Sequence, residues 1–199
     1  MQKDMNKWTA TIHRMRMEKD AFFATHPHSP IPYEKRRDFK GLNYFPPDPA
    51  YRFELEFHEH DKKEELTMQT STGDKQHYLR WGEFRFKIGE AECILQAYKA
   101  DRKEEGLFVP FRDGTSGKET YGAGRYLHLG YYDKLPDGKW VIEFNTAYNP
   151  YCAYTVGFSC PFTPPENWLD APIPAGEKIW EGHEKVAVEE LEKEKSLTL

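Results

Sequence analysis

Tyr51-Arg52-Phe53-Glu54-Leu55-Glu56-Phe57-His58 is the stretch whose reading decides the fold. Tyr51, Phe53, Leu55 and Phe57 alternate with Arg52, Glu54, Glu56 and His58. A period of two places the four apolar side chains on one face of an extended chain and the polar ones on the other. A helix would scatter the same residues around its circumference, so residues 51–58 specify a half-buried β-strand.

Working outward, residues 66–72 and 76–81 read as two more strands around the turn Ser71-Thr72-Gly73-Asp74. Residues 83–88 and 91–98 flank Gly89-Glu90, a two-residue hairpin signal. Residues 107–111, 121–129 and 139–144 complete the series, the last two separated by Leu135-Pro136-Asp137-Gly138. About eight short strands, with little room for crossover helices, predict a mainly β fold: an antiparallel β-sandwich or partly open β-barrel.

Towards the N-terminus the period changes. Trp8, Ile12, Met15, Phe22 and Phe23 follow one another at spacings of 4, 3, 7 and 1, which fits a helix over about 4–25. Asp4 or Asn6 would cap it and His26-Pro27 would end it. The prolines of Ser29-Pro30-Ile31-Pro32 forbid regular pairing there. No linker or repeat divides the chain, so residues 1–181 form one predicted domain. Residues 182–199 form a Glu- and Lys-rich tail, helical or frayed.

Composition narrows the function classes. A chain of 199 residues can bury a self-sufficient core. It is polar, with 31% charged residues and a mean hydropathy of -0.85, yet 15% aromatic residues argue against disorder. Lys plus Arg number 28 against 33 Asp plus Glu, for a formal charge of -5. The one dense basic cluster, Lys35-Arg36-Arg37 with Lys40, is balanced by Glu34 and Asp38, so no nucleic-acid partner is expected. No apolar run is long enough for a bilayer span and residues 1–16 lack the apolar core of a secretory signal. The expectation is no membrane partner and a cytoplasmic location. Three cysteines, Cys93, Cys152 and Cys160, read as free thiols, with pairing of Cys152 and Cys160 left open.

Turn-forming and chemically active residues coincide between 110 and 169. The string Pro-Phe-Arg-Asp-Gly-Thr-Ser-Gly-Lys-Glu-Thr-Tyr-Gly-Ala-Gly-Arg-Tyr-Leu from Pro110 is followed by Phe-Asn-Thr-Ala-Tyr-Asn-Pro-Tyr-Cys-Ala-Tyr from Phe144, then by Cys160-Pro161-Phe162 and Glu166-Asn167-Trp168-Leu169. Together these motifs resemble the uncharacterised family known as domain of unknown function 1684, from roughly the first helix to Ala175-Gly176-Glu177-Lys178. Thr163 stands where the resemblance suggests another proline. The resemblance implies that 110–169 form one site, and it implies no activity.

Read as chemistry, Gly114, Gly117, Gly122 and Gly124 permit close approach of backbone to a ligand, and Arg112 and Arg125 supply donors suited to carboxylate or phosphate. The leading expectation is a binding site for a small anionic or polar ligand built from Arg112, Asp113, Ser116, Tyr121, Arg125, Asn145, Tyr148 and Asn149. The bland alternative is a tight turn in which Arg and Asp pair with each other. The string lacks the Gly-Lys-Ser or Gly-Lys-Thr ending of a phosphate loop, and no cofactor is expected. A rival reading is a hydrolase with Glu119 or Cys152 as the reacting group, Glu166 as a second carboxylate and Cys160 as a resolving thiol. A third is a homo-oligomer whose loops knit subunits together. His58 and His60 share a strand face but lack a third ligand, so no metal is expected.

Overall fold

The computed structural model describes residues 2–182, and the predicted tail from residue 183 onward lies outside the described residues. A long helix α1 (Gln2–Thr25) and one short turn of helix α2 (Tyr33–Arg36) precede seven strands. These are β1 (Arg52–Leu55), β2 (Phe57–Gln69), β3 (Lys75–Ile88), β4 (Ala91–Lys99), β5 (Leu107–Phe111), β6 (Arg125–Leu129) and β7 (Trp140–Glu143). Strands β2-β3-β4-β5-β6 form one antiparallel sheet in sequence order, and β1 pairs antiparallel with β7 in a second. The fold is therefore mainly β and sandwich-like, and no closed barrel forms among the described residues.

The alternating stretch at 51–58 holds the corner of the sandwich. Its first half, β1, pairs with β7, and after Glu56 the chain passes into the larger sheet, where Phe57 faces Phe84 of β3. Phe53, Phe86 and Phe144 meet across the two sheets, with Phe53–Phe86 centroids 5.1 Å and Phe86–Phe144 centroids 5.7 Å apart. Phe84, Leu95, Val109, Ile142 and Ile173 lie in the same buried cluster. Full burial of each such side chain contributes about 1.5–3 kcal/mol.

Among the described residues the strand count falls from about eight to seven, because two predicted breaks are continuous while the predicted strand 51–58 divides at Glu56. Residues 76–81 and 83–88 join into β3 through Gly82, where a Cβ would lie 2.6 Å from the His58 carbonyl oxygen and glycine alone lets the strands approach. The pairing of β3 with β4 shifts register between Arg80 and Gly82, a bulge that absorbs the change. Residues 59–65 extend β2 despite their polarity: β2 is an edge strand, mostly exposed, and its charges discourage edge-to-edge pairing. At the other end β6 begins at Arg125 instead of Tyr121, because Gly124 turns the chain with φ +104°.

Side-chain parity on β5 and β6 sets what each face does. Leu107, Val109, Phe111, Leu127 and Leu129 point into the inter-sheet core, whereas Phe108 and Tyr126 belong to a separate cluster on the opposite face with Met68 and Tyr98. Opposite that outer face lies α1, anchored by Phe23, which packs with Ile31, Leu42, Cys152 and Tyr154. No helix among the described residues is long and apolar enough to cross a membrane.

Candidate functional site

Between α1 and the outer face of the sheet is a cavity of about 610 Å³. One wall is a helical stripe, Ile12, Met15, Arg16, Lys19, Phe22 and Phe23, whose spacings of 3 and 4 put it on a single face of α1. The facing wall comes from Tyr78, Phe108, Tyr126 and His128 of the sheet. Residues 145–148 and 158–161 close the sides. Tyr148 reaches this position because its backbone pairs with Tyr126 in both directions, at 2.9 and 3.1 Å, extending the sheet edge by one residue.

The walls are largely aromatic, so the few polar groups on them stand out. The Arg16 guanidinium donates to the Phe45 carbonyl at 2.8 Å and the Asn145 carbonyl at 3.1 Å, and its central carbon sits 4.5 Å over the Tyr44 ring. Both hydrogen-bond acceptors are neutral, and Arg16 Nε and the Tyr44 hydroxyl are buried with no partner. Burial lowers the Arg16 pKa against the pull of Tyr44, Glu143, Asp20 and Glu177. Lys19 Nζ donates to Glu177 at 2.6 Å and also lies 5.0 Å from the Tyr148 ring centre. Glu177 is wholly buried and also accepts from the Asn149 backbone and side chain and from the Tyr154 hydroxyl. Burial pushes its carboxyl pKa up, against Lys19.

His128 Nδ1 and the Tyr148 hydroxyl are hydrogen-bonded to each other. His128 is exposed where it lines the cavity yet enclosed by protein on most sides, and that burial lowers its pKa below the ordinary histidine value. A neutral imidazole accepts from the tyrosine at Nδ1 and carries its own proton at Nε2.

The glycine-rich turn does something different. Arg125 shares the parity of Leu127 and Leu129, so its side chain enters the core, fully buried, and meets Asp113 at 2.8 Å with both side chains at 0% exposure. The guanidinium also donates to the carbonyls of Ile173, Ala175 and Glu177. Asp113 accepts from Thr115 and from the Ile173 backbone, and Ser116 Oγ accepts from the Asp113 N–H. Arg112 stacks on Trp168 at 4.7 Å. Gly114 packs against the backbone of 170–172 and Gly124 against that of Phe111. The close approach that these two glycines permit is therefore to the protein's own chain, backbone at Gly114 and the Thr163 hydroxyl with the Phe111 carbonyl at Gly124. Of the eight expected ligand residues, Asn145 and Tyr148 line the cavity, while Arg112, Asp113, Ser116, Tyr121, Arg125 and Asn149 do not. Asn145 joins Asp48 and Glu143, and Asn149 joins Glu177 and Lys178.

The candidate reacting groups are dispersed. Glu166 pairs with Arg80 at 2.8 Å and accepts from Tyr98 at 3.0 Å, beside a smaller pocket that also includes Cys93. Glu119 is exposed, and neither it nor Glu166 lines the cavity. Cys152 is buried behind the wall with its sulfur 3.9 Å from the Tyr121 hydroxyl. The thiol on the wall is Cys160. Cys160 and burial raise the Cys152 pKa above the ordinary thiol value. His60 Nε2 is bonded to the Gln96 side chain at 2.8 Å.

The sequence model of the family described as a protein of unknown function, DUF1684, matches residues 37–178. The chain belongs to this family. The DUF1684 match begins after α1, later than the motifs alone suggested, so it spans the sheet side of the cavity and the glycine-rich turn but not Arg16 or Lys19. Among solved structures, an uncharacterised protein of Haloarcula marismortui, determined by NMR in solution, is 40% identical with a TM-score of 0.68; the alignment covers 89% of this chain and 97% of that one. No curated protein matches.

Arg16 and Lys19 were the residues that sequence reading missed. They occupy the same helical stripe as Ile12 and Phe23, at i, i+4, i+7 and i+11, and two cations on an otherwise apolar face are the signal that marks them.

Proposed function

We propose that this protein binds a small molecule with an apolar or aromatic body and an anionic head, held in the cavity between α1 and the sheet. The volume of about 610 Å³ falls within the range of small-molecule sites, and such sites combine apolar walls with a few convergent polar groups. The observation that carries the reading is Arg16: a guanidinium on an aromatic wall, hydrogen-bonded to neutral carbonyls, with its Nε and the neighbouring Tyr44 hydroxyl unpartnered. A carboxylate or sulfonate accepting from both would satisfy two buried donors at once. Lys19, already paired with Glu177, retains two further N–H groups for the same head.

The anionic head is that of the expectation from sequence; the apolar body is added, and the place is moved from the glycine-rich turn to the helix-covered face. The test is a fluorescence titration with 8-anilinonaphthalene-1-sulfonate, an aromatic anion, on the folded protein. Saturable binding at one site, weakened roughly tenfold or more by Arg16→Gln, is the expected result, since a charge-assisted hydrogen bond is worth about 1.5–3 kcal/mol. Equal affinity in the variant with an unchanged unfolding midpoint removes the reading.

A further inference from the structure

Cys160 and Cys152 are the one pair of thiols that the fold brings together, and the proposed ligand site uses neither. The 3-10 turn Tyr151–Ala153 starts at Pro150, and after Gly157 (φ +97°) the chain returns to place Cys160 beside it. The Cys152 backbone N–H donates to Cys160 Sγ at 3.3 Å, which sets the two residues side by side. Ser71 fixes the return strand, accepting from the Cys160 N–H at 3.1 Å and donating its own N–H to the Cys160 carbonyl at 3.0 Å. The two thiols differ in position: Cys160 lines the cavity, and Cys152 lies behind it against Tyr121.

We propose that Cys160 and Cys152 form a redox site in which Cys160 reduces an organic hydroperoxide admitted to the cavity and Cys152 resolves the product as a disulfide. The Cys160 thiolate attacks the distal peroxide oxygen: an S–O bond forms, the O–O bond breaks, and the departing alkoxide takes a proton from water to leave as an alcohol. The Cys152 sulfur then attacks the Cys160 sulfenic acid: an S–S bond forms, the S–O bond breaks, and hydroxide leaves with the Cys152 proton as water. In sum, two thiols are oxidised to one disulfide while one hydroperoxide is reduced to an alcohol and water.

Three features fit these roles. Cys152, through its thiol and then its backbone N–H, draws the Cys160 pKa below the ordinary thiol value against the effect of burial. Cys152, its pKa raised by Cys160 and by burial, lies behind the wall and meets only the product of the first step. Cys93 is an internal control, buried elsewhere with its own pKa raised by burial.

The test uses the full chain with cumene hydroperoxide, followed by thiol titration and peptide mapping. The expected result is a fall from three free thiols to one, loss of the mass of two hydrogens, and a linked peptide joining 152 to 160 while Cys93 stays reduced. Cys152→Ser is expected to trap a dimedone-reactive sulfenic acid at Cys160, whereas Cys160→Ser leaves Cys152 unreactive. Should either variant fail to fold, mapping of the unmutated protein decides alone. Retention of all three thiols, or oxidation of Cys93 as fast as Cys160, overturns the proposal. Ligand binding through Arg16 is measured separately, on reduced protein, so failure of one does not read as failure of the other.

Discussion

Arg125 and Asp113 form a salt bridge of 2.8 Å in which neither side chain has any solvent exposure, twelve residues apart along the chain and bracketing the glycine-rich turn. Carbonyls of Ile173, Ala175 and Glu177 use more of the guanidinium donors. The turn is thus a clasp that ties the start of β6 to the segment from Ile173 to Glu177. Breaking a buried pair by removing one partner costs about 3–5 kcal/mol, because the other charge is left unpaired. Arg125→Met and Asp113→Asn are expected to lower unfolding free energy in denaturant titrations by that amount, with cavity affinity unchanged in whatever fraction stays folded.

Gly124 gives a second, independent check on the same clasp. Its φ of +104° disfavours any side chain, and a Cβ there would sit 2.6 Å from the Phe111 carbonyl oxygen. Gly124→Ala is expected to destabilise by more than about 1 kcal/mol, read as a lower thermal midpoint. Gly73, where φ is +82° but a Cβ meets nothing within 4 Å, is the comparison; Gly73→Ala loses less.

Lys19 and Glu177 couple the cavity wall to the buried centre. Removing the cation with Lys19→Met is expected to cost about 3 kcal/mol near neutral pH, the lower end of the range for a broken buried pair because Lys19 is 23% exposed. The sign with pH follows from burial, which raises the Glu177 pKa and raises it further once Lys19 is gone. Between the unfolded and folded carboxyl values the folded state binds the extra proton, so stability rises as pH falls through that window. The deficit of Lys19→Met therefore shrinks on acidification, and Lys19→Met with Glu177→Gln recovers part of the loss at neutral pH. Denaturant midpoints across pH 4 to 8 are the measurement.

His128 titrates in the opposite sense. Its folded pKa is below the ordinary value, so as pH falls below about 6.5 the unfolded chain takes up a proton that the folded chain refuses, and stability falls. Protonation also removes the Nδ1 acceptor of the Tyr148 hydroxyl. An NMR titration is expected to place His128 below the ordinary histidine value, and His128→Asn is expected to flatten the acid limb of the stability curve.

The fold was largely legible because alternation survives where one strand face is buried. Tyr51 to Phe57 shows it, and 107–111 was bounded to the residue. The pattern vanished at 59–65, where an edge strand exposes both faces and nothing in hydropathy separates it from a loop. The candidate site was less legible. Glycine marks close approach without saying what approaches: at Gly114 it is the backbone of 170–172, and at Gly124 the Thr163 hydroxyl and the Phe111 carbonyl. The inward aim of Arg125 follows from its parity with Leu127 and Leu129. Arg16 and Lys19 were hidden by the habit of treating charges as the solvent face of a helix, when a second layer of residues, Tyr148 and Phe108 among them, stands opposite.

The most direct test of the cavity as the binding site is an NMR titration with 2-naphthoate. Contacts from naphthyl protons to Met15, Phe108 and Tyr126, with a shift of the Arg16 Nε resonance, are the predicted result. Contacts confined to Arg112 and Trp168, or an unperturbed cavity at saturating probe, would contradict it.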